Sequence, residues 1–318
     1  MKKLTSIILA IILALSVSAC AGDNTPQSSV SNPPPASPSD NSPTPSPSAP
    51  SESSNTSSAQ NNKPNYSLTS AVIIDDENCS FTITSVEESG FWGFSLKVLC
   101  ENKADIDLMF SWDNVSVNSY MADPFWATEV AAGKKSNTEI SFSDSTLERC
   151  NIESIDEIVF TLIIYDSNDW LADRLISEEF VIYPTGLDAN SIIYPTRKPT
   201  ATEQIVIDNE SCTFIIESEN TDSLWGYTLI CYLENKTPEP LMYSWDNVSV
   251  NGFMVDPYWA TSVQPGKRCY SDISFSNSKF EENGISSVEE IEFKLRIYDS
   301  DSWSAPDVVN EVFSYSPS

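Results

Sequence analysis

Carboxylates, tryptophans and cysteines are the residues of this chain whose chemistry is worth testing, because the sequence contains no histidine. Without imidazole, histidine-based catalytic triads, histidine metal sites and imidazole proton shuttles are excluded. A glycosidase needs only two carboxylates, and these are abundant, but no nucleophile motif and no obvious cleft accompanies them. We therefore expect no enzymatic activity, no catalytic residue and no cofactor.

The eight tryptophans form four pairs, each separated by 133 residues. Trp92 and Trp112 open and end apolar stretches, so we expect both in or at the edge of a core. Trp126 follows a proline, and Trp170 follows the polar run "YDSND", so both are predicted to lie in loops, where binding residues concentrate. The four pairs are Trp92/Trp225, Trp112/Trp245, Trp126/Trp259 and Trp170/Trp303.

Two hypotheses account for the loop aromatics. In the first, they form a platform that stacks on sugar rings or grips a partner, with Asp123, Asp166 or Asp256 accepting hydrogen bonds. In the second, the rings close the open ends of a small domain, each burying 150–250 Å². The need of a small domain for such plugs favours packing. The candidate ligand-binding residues are Asp123, Phe125, Trp126, Trp170, Asp256, Tyr258, Trp259 and Trp303.

Calcium is a further candidate ligand, because loop carboxylates and amides suit a hard cation. However, no D-x-[DN]-x-[DN]-G loop is present, and Asp or Asn at turns needs no metal. We therefore predict no metal site and keep a calcium-binding adhesin as a lesser alternative. The residues concerned are Asp113, Asn114, Asp123, Asp166 and Asp169.

The cysteines after residue 20 allow two arrangements. In an oxidising compartment, cross-strand disulfides could join Cys79 to Cys100 and Cys212 to Cys231. In the second repeat, Cys231 lies two residues before the position that corresponds to Cys100. Such a shift is unusual for a structural disulfide, so free buried thiols are the alternative. No CxxC spacing is present, which argues against zinc.

One block of sequence occurs twice, and this repetition defines the domain organisation. Ser111–Val130 and Ser244–Val263 are identical at 15 of 20 positions. The alignment extends without a gap from Ile74–Pro184 onto Ile207–Pro317. Repeats of this length are whole domains rather than solenoid units.

Each repeat has the pattern of an antiparallel β-sandwich. In Glu290–Asp299, apolar residues alternate with charged residues, which indicates a strand with one face in solvent. Asn251-Gly252 is a type I′ hairpin signal, and Asp113-Asn114 interrupts the alternation and predicts a bulge. Seven or eight such strands in about 110 residues predict an all-β fold of two tandem antiparallel immunoglobulin-like β-sandwiches.

The N-terminus predicts export and lipid anchoring. Lys2 and Lys3 precede a short apolar stretch, Ile7–Leu15, and Val17-Ser18-Ala19 leads directly to Cys20. This arrangement is typical of a lipoprotein signal peptide whose cleavage leaves Cys20 to be lipidated. The Ser-, Pro- and Asn-rich stretch that follows buries too little apolar surface to fold. The predicted parts are a signal peptide (1–19), a disordered stalk (20–69), a first sandwich (70–184), a linker (185–204) and a second sandwich (205–318).

These features together resemble a known group. The lipobox-like segment, the Ser/Pro stalk, the "VSVNG" hairpin, the "PGK" turn and the "ISF" strand are similar to immunoglobulin-like (telokin-like) domains of unknown function in lipoproteins of Gram-positive bacteria. The resemblance covers both repeats and implies a surface-exposed accessory module. It implies no functional residues.

The formal charge of −29 limits the partners, because nucleic acid and anionic surfaces repel an acidic chain. We expect a lipid-anchored protein on the extracytoplasmic face of the cell membrane, acting as a non-catalytic binding or scaffolding module. Its partner would be a cell-wall glycan or another envelope protein, and no nucleic acid. A carbohydrate-binding module is the alternative function, and a glycan-acting enzyme is a more distant one.

Overall fold

The computed structural model describes residues 64–90, 93–302 and 304–317. Cys20, the signal peptide, nearly all of the stalk, Trp92 and Trp303 lie outside these ranges, so predictions about them are untested. The first sandwich contains β1 (Ala71–Asp75), β2 (Cys79–Gly90), β3 (Gly93–Asn102), β4 (Leu108–Val117), β5 (Tyr120–Met121), β6 (Ala127–Val130), β7 (Lys135–Phe142), α1 (Asp144–Arg149), β8 (Ile158–Asp166) and β9 (Ile176–Ile182).

The second sandwich has the same elements in the same order. They are β10 (Gln204–Asp208), β11 (Cys212–Asn220), β12 (Tyr227–Asn235), β13 (Leu241–Val250), β14 (Phe253–Met254), β15 (Ala260–Val263), β16 (Arg268–Phe275), α2 (Asn277–Glu282), β17 (Ile291–Asp299) and β18 (Val309–Tyr315). The predicted all-β fold is confirmed.

The strand order is that of an immunoglobulin-like sandwich. One sheet has the order β1-β2-β3-β7, and the other contains β5-β4-β8-β9 with β6 also paired to β4. Strands β2, β3 and β7 correspond to A, B and E of the immunoglobulin fold, and β4, β8 and β9 correspond to C, F and G. The second half repeats this arrangement with β10-β11-β12-β16 and β14-β13-β17-β18.

Each sandwich is filled by its own aromatic core. Trp112 on β4 stacks on Phe160 of β8, with ring centroids 3.8 Å apart and planes 15° apart. Trp245 and Phe293 repeat this stack at 3.7 Å and 13°. These pairs join the two central strands of the same sheet from the inner face, where the alternation of side chains places them.

The predicted bulge and hairpin both form. The register between β4 and β8 shifts between Asp113 and Ser116, and Asn114 has φ of 54°. Asn adopts this left-handed backbone more readily than most residues. Asn251 and Gly252 have φ of 49° and 82°, as a type I′ turn requires.

A joint connects the two sandwiches. Arg268 at the start of β16 pairs in parallel with Tyr120 of β5. Tyr120 is fully buried, and its ring is parallel to that of Tyr270 at 6.0 Å. Ile215 and Tyr232 of the second sandwich are part of the first core. The two halves therefore keep separate cores that touch at one edge.

The predicted linker (185–204) is held against the second sandwich by ion pairs. It contains one 3-10 turn, Ala189–Ser191, and then places Arg197 within 2.6 Å of Glu203 and 3.0 Å of Glu217. All three side chains are at most 15% exposed. Hydrogen bonding to Glu203, followed by that to Glu217, raises the pKa of Arg197, and the guanidinium lowers the pKa of Glu203.

The structure forms neither of the two disulfides that the sequence allowed. Cys79 lies opposite Asn102, whereas Cys100 lies opposite Phe81. A diagonal pair of this kind is separated by about 7–8 Å between Cα atoms, which is too long for a disulfide. Cys212 and Cys231 are further apart, since Cys212 lies opposite Asn235. All six cysteines after Cys20 are free and buried.

A search of the described ranges finds no helix with the length and apolarity that crossing a bilayer requires.

The burial of the thiols predicts that they resist alkylation. Desolvation raises the pKa of Cys100 and of Cys150 to about 12, so only about one thiol in 10⁴ is ionised at pH 8, and the thiolate is the nucleophile. We expect the six cysteines after Cys20 to remain unmodified by iodoacetamide in the native full chain carrying Cys20→Ser, and to react completely in guanidinium chloride. Modification is read by intact mass; rapid native labelling would contradict the predicted burial.

Candidate functional site

The candidate site is built on a four-residue loop, Asp-Pro-aromatic-Trp, that occurs once in each sandwich. In the first copy Asp123 Oδ1 accepts a hydrogen bond from the Phe125 N–H at 2.8 Å. In the second, Asp256 Oδ1 accepts from the Tyr258 N–H at 2.7 Å. This side-chain-to-backbone closure is a common use of Asp at turns. The Asp–Pro step therefore fixes the position of the aromatic residue that follows.

The tryptophan that ends each loop is a core residue. Trp126 is 8% exposed and Trp259 is 9% exposed. The Trp126 ring contacts Trp112 edge-on at 6.2 Å, and the Trp259 Nε1–H donates to Ser271 Oγ at 2.9 Å. Rings buried in this way have no face for a ligand. The burial of both rings supports the packing hypothesis for these two residues, so the candidate contact surface is sought among their neighbours.

The aromatic residue before each tryptophan faces solvent. Phe125 is 93% exposed and Tyr258 is 90% exposed. Their φ angles are 48° and 52°, a left-handed conformation that costs an ordinary residue roughly 1–2 kcal/mol. In each sandwich the fold holds a large ring outside the core at the expense of backbone strain. Such strain is often associated with function.

A shallow groove adjoins the first of these rings. It has a volume of about 200 Å³ and lies between the loop, the end of β7 and the first turns of α1. The Asp123 carboxyl borders it, and partial desolvation raises the pKa of this group; the Phe125 N–H opposes that shift, and the Asp113 charge adds to it. The groove is lined by Ala122, Asp123, Pro124, Phe125, Ser141, Phe142, Ser143, Thr146 and Leu147.

Trp170 is exposed but belongs to a different surface. It is 71% exposed in the loop after β8, where Asp169 Oδ1 accepts from the Leu171 N–H at 3.2 Å. That loop follows Asp166, which pairs with Leu108 of β4. Phe125 lies two residues before Ala127, and Ala127 pairs with Ser111 of β4, three residues beyond Leu108. The two loops are therefore about five residue steps apart along β4, roughly 16 Å. Phe125 and Trp170 do not form one continuous platform.

The loop oxygens proposed for calcium are used in turns and in the joint. Asp113 Oδ1 accepts from the Asn114 N–H at 2.8 Å, and Asn114 Oδ1 accepts from Gln264 of the second sandwich at 2.9 Å. Asp166 Oδ1 accepts from the Asn168 N–H at 2.9 Å. Across the described part of the chain, no three Asp, Glu or Cys side chains are grouped so that they could hold a metal ion.

One exposed aromatic was not predicted from the sequence. Trp225, the counterpart of Trp92, was expected at a core edge by that alignment, but it is 78% exposed at the tip of the β11–β12 hairpin beside Leu224, which is 98% exposed. The run Thr221-Asp222-Ser223 before it and Gly226 after it, with φ of 96°, are turn signals that mark this position as a hairpin tip.

The described residues therefore form two immunoglobulin-like sandwiches, and the Asp-Pro-aromatic-Trp loop of each displays one aromatic side chain in solvent. No family model matches this chain, and no curated protein matches it in sequence. The resemblance to lipoprotein domains of Gram-positive bacteria thus stays a prediction.

Several solved structures are similar at low identity. The SafA pilin in complex with the SafB chaperone of Salmonella enterica is 10% identical, with 70% of this chain and 88% of that chain covered and a TM-score of 0.20. The YadV chaperone is 11% identical, with 70% and 91% covered and a TM-score of 0.18. The exo-chitosanase CsxA of Amycolatopsis orientalis is 10% identical, with 73% and 26% covered and a TM-score of 0.21.

The burial of Trp126 predicts a large effect on stability. Trp126→Ala removes a ring from the core, so we expect the free energy of unfolding to fall by about 3–5 kcal/mol. Trp225→Ala is the matched control and should change it by less than about 0.5 kcal/mol, because its ring is in solvent. Both are measured by guanidinium unfolding of the full chain; equal effects of the two variants would contradict the assignment.

The positive φ of Phe125 predicts a reversed order of stability for two small substitutions. Glycine is normally the more destabilising of the two in regular structure, but it adopts the left-handed region without the steric cost that alanine bears. Phe125→Gly should therefore be more stable than Phe125→Ala by about 1 kcal/mol. Thermal unfolding compares the pair, and an alanine variant that is the more stable would show that the strain is absent.

Proposed function

We propose that this protein is a non-catalytic binding module of the cell envelope, and that Phe125 and Tyr258 are its principal contact residues. The observation that carries the proposal is their exposure of 93% and 90% on strained backbone, in the same loop of both sandwiches. Neither ring stabilises the sandwich core in which its neighbouring tryptophan is buried.

The physical argument concerns what an exposed, preorganised ring can contribute to binding. A ring buries roughly 150–250 Å² when a partner covers it, worth about 4–6 kcal/mol at ~25 cal/mol per Å² before the cost of association. The Asp123 hydrogen bond holds the Phe125 backbone in place beforehand. Little conformational entropy is then lost in the complex, which favours affinity.

The repetition of the loop supports a partner with a repeating structure. Two modest sites on one chain bind a repeating polymer more tightly than either alone, because the second contact is intramolecular. The joint between the sandwiches restricts their relative motion through the Tyr120–Tyr270 contact and the Arg197 ion pairs. The distance between the two rings therefore varies little, and this raises the effective concentration of the second site.

A cell-wall glycan is the partner that these residues fit best. Sugar rings present flat C–H faces to aromatic side chains and hydroxyl groups to carboxylates, and Asp123 lies two residues from Phe125, as Asp256 does from Tyr258. The net charge of −29 disfavours anionic polymers, so an uncharged stretch of glycan is the expected ligand. An envelope protein is the second candidate partner, since exposed aromatics are also enriched at protein interfaces.

The location follows from the sequence of the N-terminus. A lipid on Cys20 anchors the chain to the extracytoplasmic face of the membrane, and the Ser/Pro-rich stalk spans the distance to the wall. The sandwiches are then presented to wall polymers rather than to the lipid surface.

Co-sedimentation with purified peptidoglycan sacculi tests the proposal. The full chain is expected to sediment with sacculi, and the double variant Phe125→Ala/Tyr258→Ala should lose at least about tenfold in affinity, as removal of two contact aromatics predicts. Each single variant should lose less, because one site remains. Trp225→Ala is the control and should bind like the parent chain.

Protease treatment of the sacculi separates the two candidate partners. Retention that survives the treatment identifies a glycan, and retention that disappears identifies a protein. A double variant that binds as well as the parent chain would overturn the assignment of Phe125 and Tyr258.

A further inference from the structure

The joint between the sandwiches has two complementary halves. On one side, the β4–β5 hairpin of the first sandwich supplies Tyr120 and Met121, and Met121 packs against the core of the second. On the other side, the outer edge of β16 receives the hairpin, and the Arg268 N–H donates to the Ser119 carbonyl at 2.9 Å. The contact is thus a short addition of one strand to the edge of a sheet.

Charged side chains complement this backbone contact. Arg149 at the end of α1 lies 2.7 Å from Asp272, and Lys267 lies 3.7 Å from Glu157. The Arg268 guanidinium lies 5.6 Å from the centre of the Tyr120 ring, within the range of a cation–π contact.

The second sandwich has the equivalent hairpin, but its side chains are exposed to solvent. Phe253 pairs with Val250 as Tyr120 pairs with Val117, so the two hairpins have the same register. Yet Phe253 is 48% exposed and Met254 is 69% exposed, whereas Tyr120 is fully buried. The difference arises because Tyr120 has a following sandwich to pack against, and Phe253 has no such neighbour within the described residues.

The first sandwich likewise carries the receiving edge without an occupant. β7 is the last strand of its sheet, and within residues 64–90, 93–302 and 304–317 no strand pairs with its outer edge. Lys134 and Lys135 occupy the positions of Lys267 and Arg268, 133 residues earlier. The ion-pair partner on the adjacent strand is also equivalent. Lys135 lies 3.0 Å from Glu101, as Arg268 lies 3.5 Å from Glu234.

The receiving sheet of the first sandwich also has an open surface. A shallow groove of about 540 Å³ lies over β2, β3 and the edge strand β7. In the second sandwich the matching strands carry Tyr232 and Tyr270, whose side chains cover the equivalent surface at the joint. The groove is lined by Thr84, Ser85, Lys97, Val98, Asn137, Thr138 and Glu139.

The geometry points to head-to-tail association of this chain with a second copy, in which the Phe253–Met254 hairpin of one copy docks on the β7 edge of the next. The contact repeats the internal joint: Lys135 lies over Phe253 as Arg268 lies over Tyr120, and Lys134 faces Glu290 as Lys267 faces Glu157. The two surfaces are different, so the contact is heterologous and each added copy presents a free hairpin and a free edge, until the row closes into a ring or continues as an open assembly.

One substitution makes this contact weaker than the internal joint. Glu282 occupies the position of Arg149, and Glu139 occupies the position of Asp272, so the ion pair of the joint has no counterpart in this contact. The two carboxylates pair instead with Lys279 and Lys97 of their own sandwiches, and the contact loses part of its electrostatic complementarity. The association is therefore concentration-dependent, and anchoring of many copies to one membrane favours it.

Sedimentation equilibrium of the full chain carrying Cys20→Ser, which prevents acylation, tests the proposal. We expect a concentration-dependent rise in mass beyond the monomer. Phe253→Asp should weaken the association at least about tenfold, as loss of a central aromatic contact predicts. Glu282→Arg should strengthen it by restoring the ion pair. Val312→Asp, at an exposed position of β18, is the control and should have no effect.

Cross-linking identifies the surfaces in contact. When a chain with Phe253→Cys is mixed with a chain with Lys135→Cys under mild oxidation, a disulfide-linked heterodimer should form, whereas Val312→Cys with Lys135→Cys should give none. A parent chain that stays monomeric at every concentration would overturn the proposal. So would association that Phe253→Asp leaves unchanged, since another surface or another protein would then be the partner.

Discussion

The stack of a tryptophan on a phenylalanine in the centre of each sandwich is the interaction on which the remaining structure depends. Trp112 on Phe160, and Trp245 on Phe293, join strands that correspond to C and F of the immunoglobulin fold. Trp126 and Trp259 pack edge-on against these stacks. Because the loop tryptophan is packed in the core and the Asp three residues earlier closes the turn, the aromatic residue just before the tryptophan has only the solvent side available. The exposure of Phe125 and Tyr258 is therefore a consequence of how the core is packed.

Strands with one face in solvent were predicted well from the sequence. Glu290–Asp299 was predicted as a strand, and β17 covers Ile291–Asp299. The bulge at Asp113 was visible because it breaks the alternation, and the structure shows that one strand, β4, continues through it. Alternation reports which side of a strand is buried; it does not report whether a distortion ends the strand or only bends it.

The candidate site was harder to predict, because the types and spacing of residues do not determine which side chains are exposed to solvent. In the run Asp123–Trp126, adjacent aromatics have opposite environments, with Phe125 in solvent and Trp126 in the core. The Asp–Pro step signals a turn, yet it does not indicate that the backbone of Phe125 is left-handed. The cysteine pairs were uncertain for a related reason, since a two-residue difference in register decides whether a disulfide can form. The joint could not be foreseen from either repeat alone, because Tyr120 and Phe253 differ in burial while their local sequences are nearly the same.

Hydroxyl-radical footprinting of the aromatic side chains, with and without sacculi, measures how exposed each ring is in the free and in the bound chain. We expect rapid oxidation of Phe125 and Tyr258 in the free chain, strong protection of both on binding, and slow oxidation of Trp126 and Trp259 throughout. Oxidation of Trp126 as fast as that of Phe125, or bound chains in which Phe125 and Tyr258 remain unprotected, would contradict this expectation.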